Sequence, residues 1–187
     1  SSKSYHRDNE LFIWNQSLDK AKLVANTKIS PDGYRVSSDG TVSFSKDESK
    51  LYFGLALPEI YQDTSLLDEE IVNVEVWSYD EPRLYTIQEM QLKNDKRKSF
   101  QSVYHLKEDK IIQIANKEFP RALLSDEGNG DHALISTTEP YQLSSQWTGQ
   151  FSKNDLKVIN INNGISKIAI LGNPSTARLS PKGKYAY

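Results

Sequence analysis

Short apolar runs alternate with polar, turn-forming residues along most of the chain. Because side chains on a β-strand alternate between two faces, a period of two indicates strands rather than helices. Strands are predicted at 11–14 and 21–25, and a hairpin is predicted over 38–54 around a polar turn. Helical periodicity is nearly absent, so the pattern predicts an all-β fold.

The middle of the chain is less regular. An irregular loop is predicted at 57–69, where Pro58 interrupts regular structure, and a long strand is predicted at 71–79. Residues 84–93 fit either a strand extension or one short helix. A hairpin over 102–115 then restores the alternating pattern.

The last third contains two further strand pairs and the start of another. Strand, turn and strand are predicted over 121–136, and a hairpin is predicted over 155–170. The pair Asn163-Gly164 in this hairpin suits the positive φ angles of a tight primed turn. Residues 176–187 begin the same arrangement again.

One phrase recurs three times: a short strand, a turn near Ser-Asp or Ser-Pro with Lys or Gly, and a second strand. The three copies align on Ser45, Ser125 and Ser180, which are 80 and 55 positions apart. Hairpins of a second kind lie between them, so each unit contains two hairpins and four strands. Four strands per repeat are typical of one blade of a β-propeller.

Propeller repeats span roughly 40–50 residues, so the first spacing requires insertions, which the loop at 57–69 and the segment 82–100 supply. We therefore expect a partial β-propeller of four-stranded antiparallel blades, with about two full blades and parts of two others. The whole chain, 1–187, would be a single propeller fragment. The approximate blade parts are 1–36, 37–118, 119–172 and 173–187.

The repeated phrase also resembles a known family. Residues 44–53 (FSKDESKLYF) and 179–187 (LSPKGKYAY) are similar to the repeat shared by TolB-type propellers and prolyl-oligopeptidase-family serine peptidases. Residues 67–79 (LDEEIVNVEVWSY) further resemble the propeller of large bacterial peptidases in that family. The likeness runs from about residue 10 to the C-terminus.

The resemblance implies a non-catalytic role for this chain. In that family a propeller covers an α/β-hydrolase domain with a Ser-Asp-His triad, and it restricts access or contacts the peptide. We expect this chain to gate or position peptide substrate for a downstream hydrolase domain of the same parent chain. The expected location is periplasmic or otherwise extracytoplasmic.

Charge and composition exclude several other functions. The formal net charge is −2, with 23 basic and 25 acidic residues mixed along the chain, so neither nucleic acid nor a membrane surface is an expected partner. There is no cysteine, which excludes disulfides and thiolate chemistry. No apolar run has the length of a membrane span.

Catalytic and metal-binding motifs are not found in the sequence. A Gly-x-Ser-x-Gly nucleophile elbow is missing, and no cofactor is expected. His6, His105 and His132 lack metal-ligand spacing, so no metal site is predicted. The acidic, glycine-containing segment 126–131 is interpreted as a turn between strands rather than a calcium loop.

Glu69 and Glu70 are the candidate substrate-binding residues. Some dipeptidyl peptidases hold the amino terminus of the substrate with paired glutamates on the propeller, through charge-assisted hydrogen bonds. Here the pair directly precedes a predicted strand and lacks a helical setting, which favours a solvated strand entry. The tryptophans, Trp14, Trp77 and Trp147, are interpreted as packing anchors between blades.

Two other functions remain open. One is a TolB-like propeller that docks protein partners in the cell envelope without enzymatic activity. The other is a closed β-sandwich that binds carbohydrate by stacking on Trp77, Trp147 and nearby tyrosines. An incomplete ring would also expose strand edges, so we expect the fragment to self-associate.

Overall fold

The computed structural model describes residues 8–58 and 81–187, and this part of the chain is mostly β. It also contains two α-helices, α1 (Tyr85–Lys96) and α2 (Gln142–Thr148), and single 3₁₀ turns at Asp126–Gly128 and Glu139–Tyr141. The strands are β1 (Leu11–Ile13), β2 (Lys22–Ala25), β3 (Arg35–Val36), β4 (Ser43–Phe44), β5 (Lys50–Ala56), β6 (Phe100–His105), β7 (Lys110–Gln113), β8 (Arg121–Leu124), β9 (His132–Thr137), β10 (Asn154–Asn160) and β11 (Ser166–Asn173).

These strands form three antiparallel sheets, named here in chain order. Sheet I is the pair β1–β2, and sheet III is a four-stranded meander in the order β8-β9-β10-β11. Sheet II has the order β5-β6-β7, with β3 and β4 both paired to β5. Because β6 occupies the other edge of β5, β3 and β4 share one edge and act as a single interrupted first strand. Sheets II and III are therefore both four strands wide.

Sheet II lies between the other two sheets. Leu51, Phe53 and Leu55 alternate along β5 and pack in one core with residues of sheet I. Tyr52, on the opposite face, packs in a second core with Val103 of β6 and with residues of sheet III. Both faces of β5 are consequently buried, which explains its nearly continuous apolar sequence.

The predicted hairpins are confirmed: 38–54 contains β4–β5, 102–115 contains β6–β7, and the last third contains β8–β9 and β10–β11. The all-β prediction is wrong in its strict form, because α1 and α2 are present. Neither helix contains a buried residue, so the sequence shows no apolar stripe from which either helix could be predicted. The strand predicted at 71–79 and most of the loop predicted at 57–69 lie outside the described residues.

The turn between β10 and β11 differs from the predicted two-residue primed turn. Asn160 N–H donates to the Ile165 carbonyl at 2.9 Å, and Gly164 N–H donates to the Asn160 carbonyl at 2.8 Å. Gly164 has a φ of +76°, but Asn163 does not have a positive φ. The Asn163 side chain instead accepts the Ile165 N–H at 2.9 Å and stabilises a wider loop.

The three aligned serines occupy equivalent turns, called here the serine turns (45–50, 125–132 and 180–185). In each, the residue three positions after the serine donates its N–H to the serine carbonyl and has a positive φ. These residues are Glu48, Gly128 and Gly183, with distances of 2.9, 2.9 and 2.7 Å and φ values of 56°, 86° and 66°. The sequence repeat is thus a repeat of backbone geometry.

The serine side chains close these turns. The Oγ atoms of Ser45 and Ser180 each accept the N–H of the residue five positions later, both at 3.0 Å. Ser125 Oγ instead donates to the carbonyl of His132 at 2.9 Å, because its turn is two residues longer. A serine hydroxyl can fill both roles since it is a donor and an acceptor.

Each serine turn packs against the preceding one. A Cβ atom on Gly128 would lie 3.3 Å from the Cα of Ser45 and 2.8 Å from the Tyr52 ring. A Cβ atom on Gly183 would lie 2.9 Å from the Cβ of Ser125. The same glycine-on-serine contact therefore relates the first turn to the second and the second to the third.

Polar contacts connect the first two serine turns. Tyr52 Oη donates to the Gly128 carbonyl at 2.6 Å, and Lys50 Nζ donates to the Asn129 carbonyl at 2.8 Å. Both donor side chains belong to buried residues, and burial raises the pKa of Tyr52, so its hydroxyl stays protonated. In the same turn, hydrogen bonds from Ser45 and Ser49 lower the pKa of Asp47 to about 2.

The contact between sheets I and II is also polar at its edge. Lys22 Nζ lies 3.1 Å from Tyr104 Oη and 2.9 Å from an Asp109 carboxylate oxygen. Tyr104 Oη donates to the same carboxylate at 2.6 Å. The hydrogen bonds from Tyr104 and Lys22 lower the pKa of Asp109, so the group remains anionic at neutral pH.

Replacing Gly128 by Ala tests the contact between serine turns. We expect the Gly128→Ala variant to lose about 2–4 kcal/mol in the free energy of unfolding, because the new methyl group meets Tyr52 and the φ is left-handed. Gly33→Ala is the matched control, since Gly33 has a φ of +78° and nothing within 4 Å of its Cβ position. It should lose only about 1 kcal/mol. Equal losses in urea unfolding would contradict the close approach.

Removal of the Tyr52 hydroxyl tests the polar connection. We expect Tyr52→Phe to lower the free energy of unfolding by about 1–3 kcal/mol, because the buried Gly128 carbonyl loses its donor. Tyr185 is 64% exposed, so Tyr185→Phe should change stability by less than about 0.5 kcal/mol. Thermal and urea unfolding of both variants measures the difference. A neutral Tyr52→Phe would show that the hydrogen bond adds nothing to stability.

Candidate functional site

The long connections of sheets II and III leave from the same end of the sheets. Residues 57–99 join β5 to β6 and contain α1, and residues 138–153 join β9 to β10 and contain α2. Both are the connection between the second and third strands of a four-stranded sheet. Since antiparallel strands reverse direction, this end lies opposite the serine turns.

The two helical insertions are joined by one side chain. Gln146 of α2 accepts the Leu84 N–H at 2.9 Å and donates to the Pro82 carbonyl at 3.1 Å. Leu84 precedes the first residue of α1 and has no side-chain cap of its own. Gln146 therefore fixes the point at which the chain enters α1.

A cavity of about 370 Å³ lies between these insertions and the strand ends; it is called here the insertion cavity. Lys98 lies two residues before the start of β6, and Arg121 is the first residue of β8. Thr138 and Glu139 follow the last residue of β9. The charged and hydroxyl-bearing residues of its lining include Arg83, Asp95, Lys98, Arg121, Thr138 and Glu139.

The charges in the cavity are only partly paired. Arg83 forms an ion pair with Asp95 at 2.8 Å and donates to the Gln91 side chain at 2.8 Å. Among residues 8–58 and 81–187, neither Lys98 nor Arg121 makes an ion pair, and neither does Glu139. Two cations thus face one carboxylate, which favours an anionic group over a metal ion.

The histidines lie elsewhere or have structural contacts. His105 is buried, with Nε2 2.8 Å from the Ile161 carbonyl and Nδ1 3.4 Å from a Glu108 carboxylate oxygen, so it connects sheets II and III. His132 is exposed at the end of the sheet that carries the serine turns. His6 lies outside the described residues.

Segment 126–131 uses its polar groups in separate contacts. Glu127 pairs with Lys46 at 2.6 Å, and Asp131 accepts from Asn162 at 2.9 Å. In the part of the chain that the structure describes, no group of three or more His, Asp or Glu side chains is arranged to hold a metal ion. The segment forms part of the second serine turn, which connects β8 to β9; this agrees with its interpretation as a turn between strands.

The predicted substrate-binding pair, Glu69 and Glu70, lies outside the described residues, as does Trp77. Trp14 and Trp147 are 60% and 75% exposed, so the prediction that they anchor packing between sheets is wrong for these two. Trp14 follows β1 and donates to the Leu18 carbonyl at 3.0 Å, and Trp147 lies on α2. Both belong to connections rather than to the strands that form the cores.

Sequence reasoning missed the insertion cavity. Its charged residues lie far apart in the sequence, and they belong to no motif with a fixed spacing. The one signal available was the length of the segment 82–100, which was recognised as an insertion between strands. Long connections frequently carry functional groups on a rigid scaffold.

Comparison with known proteins adds no relative: no protein-family model matches the chain, and no curated protein is significantly similar to it. The described residues contain no helix that is long and apolar enough to span a membrane. A functional proposal therefore rests on the geometry of the sheets and of the insertion cavity, together with the sequence resemblance described above.

Replacing Gln146 tests whether the two insertions are coupled. We expect Gln146→Ala to speed amide exchange of Leu84 and the first turn of α1 by roughly three- to tenfold, because two hydrogen bonds are lost. The global unfolding midpoint should change little, since neither helix buries side chains. Hydrogen exchange followed by NMR measures this.

The control is Gln150→Ala, in an exposed residue just after α2. It should leave exchange in α1 unchanged. Identical exchange of α1 in both variants would mean that the two insertions are independent.

Proposed function

We propose that this chain is a non-catalytic portion of a β-propeller that gates or positions peptide substrate for a hydrolase domain of the same parent protein. The observation that supports it is the serine turn, which occurs three times with the same hydrogen bond, and whose second and third copies each contact the preceding copy in the same way. Repeated units that contact only their neighbours are the basis of repeat architectures, including propellers. The likeness to prolyl-oligopeptidase-family peptidases suggests the role.

The stacking of the sheets agrees with a series of blades. Sheet II is covered on both faces, and sheet III is covered on one face by sheet II. On its other face, Leu134 and Leu156 line a cleft of about 250 Å³ together with Thr176 and Ala177. The third serine turn follows directly, so the chain begins another unit on this face. A four-stranded sheet with two apolar faces needs such neighbours on both sides.

The position of the two helical insertions, at the end of the sheets opposite the serine turns, supports a role in gating peptide substrate. The serine turns are nearly equivalent, whereas the opposite end has two helices and a polar cavity. Groups at that end would contact a peptide remote from the scissile bond. Such contacts change the selection and binding of peptides more than the rate of the chemical step.

The test uses the parent protein. We expect its reading frame to contain a Gly-x-Ser-x-Gly segment after residue 187, and we expect Gln146→Ala to change kcat/KM for a six-residue peptide severalfold. The kcat/KM for a short dipeptide ester should stay the same, because the chemical groups are elsewhere. Gln150→Ala is the control and should change neither value.

Three outcomes would refute the proposal, the first two of them in the parent protein. One is a parent protein that has only further sheets and no nucleophile elbow. The other is an equal change for the long peptide and the short ester, because gating acts on size. A chain that itself hydrolysed peptides would also exclude a non-catalytic role.

A second function, docking of a protein partner as in TolB-type propellers, is favoured by exposed apolar side chains near α2. Trp147 is 75% exposed, and Phe151 is 97% exposed. Contiguous exposed apolar surface marks interaction sites, and these two side chains lie four positions apart in the same connection. A parent without a hydrolase segment would favour this function over gating.

Self-association of the chain also stays a proposal. It is supported by Ile168 and Ile170 on the edge strand β11, which are 60% and 46% exposed.

A further inference from the structure

We infer that the insertion cavity binds a carboxylate group of a peptide, with Lys98 and Arg121 as the cations that recognise it. The peptide identity of the ligand rests on the proposed function, whereas the affinity for a carboxylate rests on the charges of the cavity alone. The inference assigns a site that Glu69 and Glu70 do not supply, because carboxylates cannot bind an anion at neutral pH.

Strand ends position the two cations. Arg121 is the first residue of β8, and it is paired with Ser136 of β9. Lys98 lies two residues before Phe100, which is buried at the start of β6. Arg121 therefore starts from backbone that sheet III holds in place, and Lys98 lies in the three-residue link between α1 and β6. Sites built on strands have better-defined geometry than sites built on loops alone.

The Asp95 carboxylate does not compete with an anionic ligand for Lys98 and Arg121, because it is paired with Arg83. The Arg83 guanidinium already contacts the Asp95 carboxylate and the Gln91 side chain, both at 2.8 Å. Asp95 is thereby neutralised within the cavity. In the described residues no carboxylate lies within ion-pair distance of Lys98 or Arg121. Because Glu139 is the one further carboxylate among the described lining residues, the cavity keeps an excess of one positive charge in a chain with a formal net charge of −2.

The donor types fit a carboxylate. A guanidinium can donate two parallel N–H groups to the two oxygens of a carboxylate, and an ammonium adds a compact positive charge. The hydroxyl of Thr138 accepts from Gln142 at 3.4 Å, so its own hydrogen is available as a third donor. The cavity volume of about 370 Å³ lies in the range of pockets that hold small ligands.

Glu139 limits the charge of the ligand. One monoanion together with Glu139 balances Lys98 and Arg121, whereas a phosphate dianion would leave an excess of negative charge. The carboxylate of Glu139 can instead accept a peptide N–H of the same ligand. These features favour the carboxylate of a peptide over a phosphorylated ligand.

The experiment titrates the chain with three peptides in low salt and follows backbone amide shifts by NMR. The peptides are N-acetyl-trialanine with a free C-terminal carboxylate, the same peptide as a C-terminal amide, and an amidated peptide with one internal glutamate. We expect the free acid to shift the amides of Arg121 and Thr138 and to bind at least tenfold more tightly than the neutral amide, because charge-assisted hydrogen bonds are lost in the amide.

The glutamate peptide distinguishes the source of the carboxylate. Weaker binding than the free acid assigns the C-terminal carboxylate, and equal binding assigns any peptide carboxylate; both agree with the inference. Equal binding of the acid and the neutral amide would overturn it. So would tighter binding of inorganic phosphate than of the free acid.

Substitutions identify the residues. Arg121→Gln and Lys98→Gln should each weaken binding of the free acid about tenfold, because each removes one charged donor. Arg121→Lys keeps the charge and should weaken binding less. Lys167→Gln, in an exposed residue of β11, is the control and should not change it. Folding of each variant is checked by its amide spectrum before titration.

Unchanged affinity in both folded glutamine variants would overturn the assignment of Lys98 and Arg121. The result is independent of the parent protein. A chain that binds the free acid, in a parent without a Gly-x-Ser-x-Gly segment, would exclude the peptidase proposal and keep the carboxylate site. If the parent is a peptidase but this chain does not bind the free acid, the carboxylate site is excluded and the peptidase proposal is kept.

Discussion

The close approach of successive serine turns is the constraint on which the rest of the structure depends. Gly128 lies where a Cβ atom would contact the Tyr52 ring and the backbone of Ser45, so no side chain fits between the two turns. That approach brings the Gly128 carbonyl within 2.6 Å of the Tyr52 hydroxyl. It also fixes the separation of sheets II and III, because both sheets continue from these turns. The apolar faces of the sheets then meet at the distance that close packing requires.

The sequence predicted the parts of the fold that burial on alternate residues determines. The hairpins of sheets II and III and the equivalence of Ser45, Ser125 and Ser180 follow from alternation and from a repeated phrase, whereas β3 was not predicted. α1 and α2 were harder to predict, because neither helix has a buried apolar face. Their sequences therefore lack the apolar period of 3.6 residues that identifies a helix. The wider turn at Asn163 depends on a side-chain hydrogen bond that competes with the backbone of a tight turn.

The insertion cavity illustrates why a site can escape prediction even when its scaffold is predicted correctly. Arg83 and Arg121 are both arginines in unremarkable segments, but one is neutralised by Asp95 and the other has no carboxylate partner in the described residues. This distinction depends on which side chains the strand ends bring together. A count of charges along the sequence cannot supply it. The family resemblance directed attention to Glu69 and Glu70, which lie outside the described residues.

The two ends of the sheets differ in how far their connections repeat one another. The serine turns share one backbone hydrogen bond and one positive φ, although the second turn is two residues longer. The connections at the opposite end differ: residues 57–99 are far longer than residues 138–153, and each contains its own helix. The first two aligned serines are 80 positions apart and the next two 55, and the unequal lengths of these two connections account for that difference. Specific recognition must use features that the repeat does not share. On the proposed function, the insertions, which Gln146 joins and which line a cavity with exposed, unpaired charge, are the part of the described structure that would select a ligand.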